Sequence, residues 1–185
     1  MLTYPVTLAG LKRELPICPL SDDTSIAAFV IFGDAPLTVA CAGELLRRAP
    51  DYDYLITAEA KGIPLAHEMA QQHEDDYYFI ARKMPKLYMR QALSFTYRSI
   101  TTAREQTLYL DRYDAERMAG KRILLVDDVI STGESLLAVE HLVHEAGGIP
   151  VGRMCILAEG DAIQREDITF LAPLPLFHPD GTPKG

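Results

Sequence analysis

Apolar residues in this chain fall into short continuous runs separated by stretches of helical spacing, and the pattern changes character near residue 50. Ahead of Pro50, apolar runs at residues 26–32 and 37–42 are punctuated by Pro5, Pro16, Pro19 and Pro36, which predicts a small β-rich cap. Beyond it, residues 54–58 read as a strand that ends in Glu59-Ala60-Lys61-Gly62, and Ile63, Ala66, Met69 and Ala70 follow at helix spacing. Residues 77–81 read as a second strand, running into Arg82-Lys83. Residues 84–106 are polar with little periodicity, which predicts a long loop or the arm of a hairpin; loops of that length in compact domains serve as lids or are disordered. Residues 108–110 look like a returning strand. A buried-type strand at 122–126 then leads into Asp127-Asp128 and a turn. Leu136, Leu137, Val139, Leu142, Val143 and Ala146 mark one face of a helix closed by Gly147-Gly148, and residues 151–158 form another continuous apolar strand. Strand–helix–strand alternation with continuously apolar strands predicts an α/β fold whose parallel sheet is covered by helices on both faces.

Length and charge narrow the possibilities. The 185 residues suit a single domain, since domains cluster near ~100–200 residues. We divide it into a cap (1–50), a core (51–160) and a C-terminal extension (161–185). With 18 basic against 26 acidic side chains the net charge is −8, which argues against a nucleic-acid or anionic-membrane partner. A phosphate ligand then requires a local pocket. Cys18, Cys41 and Cys155 show no CxxC spacing, so free thiols and a cytoplasmic location are expected. The first residues lack the basic-then-apolar order of a signal peptide, and the run at 26–32 is too short to span a bilayer.

The strongest chemical signal lies at residues 123–135. A buried strand delivers Asp127 and Asp128 to its C-terminal end, the edge at which open α/β sheets bind ligands. The small-residue turn Ser131-Thr132-Gly133-Glu134-Ser135 then opens a helix whose first N–H groups favour a phosphate. Carboxylates beside such a cradle repel the phosphate itself, so they must face hydroxyls or a cation, which suggests a ribose 5-phosphate. Neither GxxxxGK[ST] nor GxGxxG is present.

Four apolar residues, two acids, two apolar residues and a small Thr-Gly turn resemble the phosphoribosyl-pyrophosphate (PRPP) motif of type I phosphoribosyltransferases. The resemblance implies that Asp127 and Asp128 contact the ribose hydroxyls, and that Val129, Ile130, Ser131, Thr132, Gly133, Glu134 and Ser135 belong to the loop that wraps the 5-phosphate. Glu134 departs from the small residue usual there, so its side chain has to turn away from the phosphate. Residues 59–66 resemble the pyrophosphate loop of the purine branch, with Glu59, Ala60, Lys61 and Gly62 as its binding residues and a cis peptide at Glu59–Ala60. Residues 81–87 resemble the next family segment, whose basic residues, here Arg82, Lys83 and Lys86, hold pyrophosphate. The likeness covers residues 50–160. It implies a type I phosphoribosyltransferase fold with a small N- and C-terminal hood, and a homodimer.

The family's catalytic lid corresponds to residues 87–108, with 99–106 as its tip and returning arm and Glu105 as the carboxylate placed to assist protonation of the base. The reaction implied is transfer of phosphoribose from PRPP to a purine ring nitrogen, releasing pyrophosphate, with Mg²⁺ held mainly by PRPP. No covalent nucleophile is needed, so the cysteines read as packing residues. His141 and His144, beside Glu140 and Glu145, do not form HExxH and read as surface residues on the solvent side of a helix. The lysine that reads a 6-oxo group in related enzymes has no counterpart in Leu157-Ala158-Glu159-Gly160-Asp161, which favours adenine over a 6-oxopurine. A PRPP-sensing regulator, like the purine repressor that shares Ala158-Glu159-Gly160, is the rival from another class. Residues 1–50 are poor in basic residues and too short to hold both a cap and a DNA-binding domain.

Overall fold

The computed structural model describes residues 2–98 and 105–184. Strands β1 (Thr3–Leu8), β2 (Leu11–Pro19) and β3 (Ser25–Ala27) form an antiparallel sheet in that order, the first two joined by Ala9-Gly10. Both turn residues have positive φ (47° and 81°), the twist a two-residue hairpin requires. Helix α1 (Ala35–Leu46) comes next, in the stretch expected to belong to a β-rich cap. Pro36 had been read as punctuation, but it sits in the first helical turn, where its missing N–H costs nothing, and the Asp34 carboxylate accepts from Leu37 N at 3.2 Å.

The main sheet contains β4 (Tyr54–Ala58), β5 (Tyr78–Ala81), β8 (Arg122–Ile130), β9 (Ile149–Glu159) and β10 (Thr169–Leu174). All are parallel, in the order β10-β9-β8-β4-β5. The strands are joined through α2 (Gly62–His73), the hairpin β6 (Leu93–Arg98) and β7 (Glu105–Leu110), α3 (Arg112–Met118), α4 (Glu134–Glu145) and a 3₁₀ turn over Gly160–Gln164. β10 lies in the segment read as a C-terminal extension, yet it completes one edge of the sheet. Chain progression reverses between adjacent β4 and β8, so the crevice beyond their C-terminal ends is the topological switch point.

Successive residues of β8 explain the continuous apolar runs. Leu124 and Val126 pack with α1, α2 and the hood, whereas Ile123 and Leu125 pack with α3, α4 and the hairpin. The segment expected to be a long loop carries this hairpin. Leu93, Phe95 and Tyr97 alternate with exposed Ser94 and Thr96, so the period is two over a run too short to stand out. The expected tip at 99–104 falls outside the described residues. Leu137, assigned above to the apolar face of α4, is 56% exposed. His141 is exposed as expected, but its ring stacks on Phe95 of the hairpin at 3.9 Å between centroids.

The hood is closed by the C-terminal tail. Phe177 is fully buried, exchanges backbone hydrogen bonds with Ser25 (2.8 and 2.9 Å) and meets Tyr4 edge-on at 5.1 Å. Replacing Phe177 with Ala should lower stability by about 3–5 kcal/mol. A urea titration checks this, and an unchanged midpoint would remove Phe177 from the anchoring role.

Candidate active site

β8 runs through the acid pair before it ends. Asp127 pairs in register with Cys155 of β9, which fixes the backbone from which both carboxylates project. The side chains leave on different courses. Asp127 Oδ1 accepts the N–H of Asp128 at 2.9 Å, while Asp128, only 2% exposed, sends Oδ2 to within 3.1 Å of Lys61 Nζ. That contact is a charge pairing without hydrogen-bond alignment, and Oδ2 has no hydrogen-bond partner among the described residues. Burial, reinforced by the charge of Asp128, pushes the Asp127 carboxyl well above the ordinary carboxylate range.

The chain then turns through Ser131 and Thr132 to Gly133, whose φ of 78° makes it the N-cap of α4. Among the described residues no side-chain cap bond is made at this helix start, in contrast to α1, where Asp34 caps Leu37. Residues 129–136 and Asp127 enclose a cradle of about 70 Å³. The hairpin leans over it. Tyr97 donates to Gln106 Oε1 at 2.9 Å, and burial, with Ser135 as hydrogen-bond neighbour and Glu134 and Asp127 as nearby charges, leaves its phenol above the ordinary value. Sequence reading passed over Tyr97 because an aromatic on a short amphipathic strand looks like packing.

The loop after β4 supplies the opposite wall. Its Glu59–Ala60 peptide is cis, as the motif implied, and Gly62 opens α2 directly against the acids. A Cβ at residue 62 would fall 2.1 Å from Thr57 Oγ1 and 3.1 Å from Asp127 Oδ1, so only glycine fits. Grouped together in the sequence, Glu59 and Lys61 part company here. Lys61 goes to Asp128, whereas Glu59 gathers the basic segment through Arg82 Nη1 (3.4 Å), Lys83 N (3.0 Å) and Lys86 Nζ (3.7 Å). Burial raises the Glu59 carboxyl, but these donors outweigh it and hold it below the ordinary range. Reciprocal 2.8 Å backbone bonds between Arg82 and Tyr109 stitch the basic segment to β7. Glu105 begins β7, exposed and in register with Arg98.

Between the turn at 131–135 and the hood lies a second pocket, of about 140 Å³, lined by Leu20, Ser131, Thr132, Glu159, Gly160, Asp161 and Leu176. Its walls are mainly apolar, with two carboxylates and no lysine among the lining residues. Burial raises the Glu159 carboxyl, partly opposed by the charge of Lys61. Cys41 and Cys155 are fully buried and burial pushes both thiols up to about 12, so neither is a nucleophile at neutral pH.

The position of Asp127 carries a stability signature. Because its carboxyl is raised in the folded state, its contribution is complete below the unfolded carboxyl range and is lost as pH rises toward the folded value. Asp127→Asn keeps the shape without the charge. Its melting temperature in the ligand-free protein should exceed that of wild type by a margin that widens between about pH 5 and pH 8. A margin that does not change with pH would contradict the strained carboxylate.

Comparison with known proteins agrees with this geometry. A hypoxanthine/guanine phosphoribosyltransferase of Methanococcus voltae is 31% identical over 59% of this chain and 54% of its own length. An adenine phosphoribosyltransferase of Petrotoga mobilis is 31% identical over 66% of this chain and 62% of its own length. The matched region thus spans less than two thirds of these curated relatives. The crystal structure of adenine phosphoribosyltransferase from Thermoanaerobacter pseudethanolicus shares the fold with a TM-score of 0.66 at 20% identity, covering 93% of this chain and 95% of that one. Residues 37–171 match the phosphoribosyl transferase domain model, a stretch that starts within α1, contains the acid pair and the turn at 131–135, and ends in β10; the chain belongs to the phosphoribosyl transferase family.

Proposed function

We propose that this protein transfers phosphoribose from PRPP to a purine base, adenine in preference, giving a nucleoside monophosphate and pyrophosphate. The observation that carries this reading is the convergence at one sheet edge of a buried acid pair and a glycine-capped helix start with no side-chain cap. In this reading the N–H groups of the 131–135 loop hold the 5-phosphate, and the ribose hydroxyls donate to Asp127 and Asp128. Lys61, Arg82, Lys83 and Lys86 meet the pyrophosphate, with Glu59 orienting the last three.

The Lys61–Asp128 contact gives this binding a direction. A ribose hydroxyl arriving at Asp128 supplies the hydrogen bond that its buried Oδ2 lacks and releases Lys61 toward the leaving group. Breaking the C1–oxygen bond develops positive charge on the sugar and negative charge on pyrophosphate. The carboxylates face the first and the cations the second. In this reading the hairpin excludes water and Glu105 handles the proton of the base. Mg²⁺ would be held mainly by the phosphate oxygens of PRPP, and when bound would neutralise the leaving pyrophosphate. Exposed Met84, Leu87 and Tyr88 beside the basic segment are suited to a second copy of the chain, as in a homodimer.

The pocket beneath the hood favours adenine because carboxylates accept from an exocyclic amino group, whereas a 6-oxo group needs a donor. One observation favours the second reading, a 6-oxopurine. The charge of Lys61 is felt at Glu159, so a cation lies within electrostatic range of the pocket although it is not among the lining residues.

Pyrophosphate release with PRPP, Mg²⁺ and a panel of adenine, guanine, hypoxanthine, xanthine, orotate and uracil separates these readings. Adenine should exceed hypoxanthine by at least about tenfold in kcat/KM. Faster turnover of a 6-oxopurine would transfer the assignment to Lys61, and PRPP binding without turnover of any base would identify a regulator instead. Asp127→Asn and Asp128→Asn should each impair PRPP use by about tenfold or more while the far-UV spectrum is retained. Unchanged kcat/KM for PRPP would refute the ribose-binding role.

A further inference from the structure

One cation stands against the phosphate loop that neither the acid pair nor the basic segment accounts for. Arg165 follows the 3₁₀ turn at Gly160–Gln164, and a Cβ added to Gly133 would lie 2.2 Å from its Nη1. Gly133 is required by its positive φ, and the Arg165 guanidinium rests on its Cα. The rest of the guanidinium is pinned. Nε donates to Asp167 Oδ1 at 2.9 Å and Nη2 to Oδ2 at 2.7 Å, a two-point fork that leaves Nη1 for the loop. Asp167 is in turn 3.9 Å from Arg153, which pairs with Glu140 on α4 itself. The chain of charges thus starts on the third element of the site, α4, and returns to that helix at its N-terminus.

A guanidinium at a helix N-terminus has the wrong sign for the helix dipole. Placing it there raises the positive potential at a site that must bind an anion beside two carboxylates, and the Asp167 fork fixes it whether or not the anion is present. On the reading that this loop binds a sugar phosphate, we propose that Arg165 is a positioning residue for the 5-phosphate. It backs the loop at Gly133, holds the N–H groups of 131–135 in their anion-binding arrangement, and offsets the repulsion from Asp127 and Asp128.

Calorimetric titration of ribose 5-phosphate into the wild-type chain, Arg165→Lys and Arg165→Gln tests this, with melting temperatures measured alongside. Arg165→Gln should bind about tenfold more weakly and Arg165→Lys within about threefold of wild type, the Gln loss being the size expected for one partly buried charge near a helix N-terminus. In turnover, the loss should fall on KM for PRPP more than on kcat and should spare KM for the base. Wild-type affinity in Arg165→Gln would overturn the assignment. So would equal losses in both variants, which would reduce Arg165 to packing. If Arg165→Gln does not fold, Arg165→Lys decides: affinity near wild type supports the role of charge, and a tenfold loss refutes it. Failure of the wild-type chain to bind ribose 5-phosphate would overturn the phosphate site itself, a result distinct from any difference among the variants.

Discussion

Two carboxylates on consecutive residues at the end of a buried strand repel each other and repel any anion brought near them. Much of the surrounding structure answers that repulsion. The Asp128 N–H turns back onto Asp127, Lys61 reaches across from the neighbouring loop to Asp128, and Gly62 gives up its side chain so that α2 can begin against Asp127. On the other side, α4 begins without a side-chain cap, with Arg165 behind it. Acids, helix starts and cations alternate around one crevice, and a molecule carrying hydroxyls between two phosphates has the complementary order of groups.

The topology makes this arrangement possible with short loops. β4 and β8 are neighbours although two helices, a strand and a hairpin lie between them in the chain, because the order of strands reverses there. Their C-terminal ends therefore open side by side, one carrying Glu59-Ala60-Lys61-Gly62 and the other the acid pair. Strands buried on both faces keep those ends in place, since Leu124 and Val126 belong to one core and Ile123 and Leu125 to the other.

Features that depend on neighbours in sequence were legible, and features that depend on distant partners were not. The strand at residues 54–58 was read with the bounds it has, and the acid pair and the small-residue turn were recognised because all their parts are contiguous. β8 proved longer than the apolar run at 122–126 because Asp127 and Val129 still pair with β9, a ladder that no hydropathy pattern reports. α1 was hidden by giving Pro36 the weight of a breaker, when Asp34 followed by Pro36 is the signature of a helix start. The hairpin was hidden by its shortness. The partition of Glu59 and Lys61 between different partners was invisible, since both sit in one motif and their contacts come from β5's basic extension and from β8.

Arg165 is the extreme case of the same rule. It belongs to no motif and follows a turn with an exposed acidic residue on either side, Asp161 and Glu166, so sequence reading treats it as a solvated surface charge. It reaches the turn at 131–135 only because β9 runs beside β8 and its C-terminal end, followed by the 3₁₀ turn, arrives at the same sheet edge. The glycine at 133 carries no trace of it, since the positive φ of the turn already accounts for a glycine there and a guanidinium end can shift. A cation resting on a glycine that the turn already requires is a contact made by the fold, and the local sequence cannot name it.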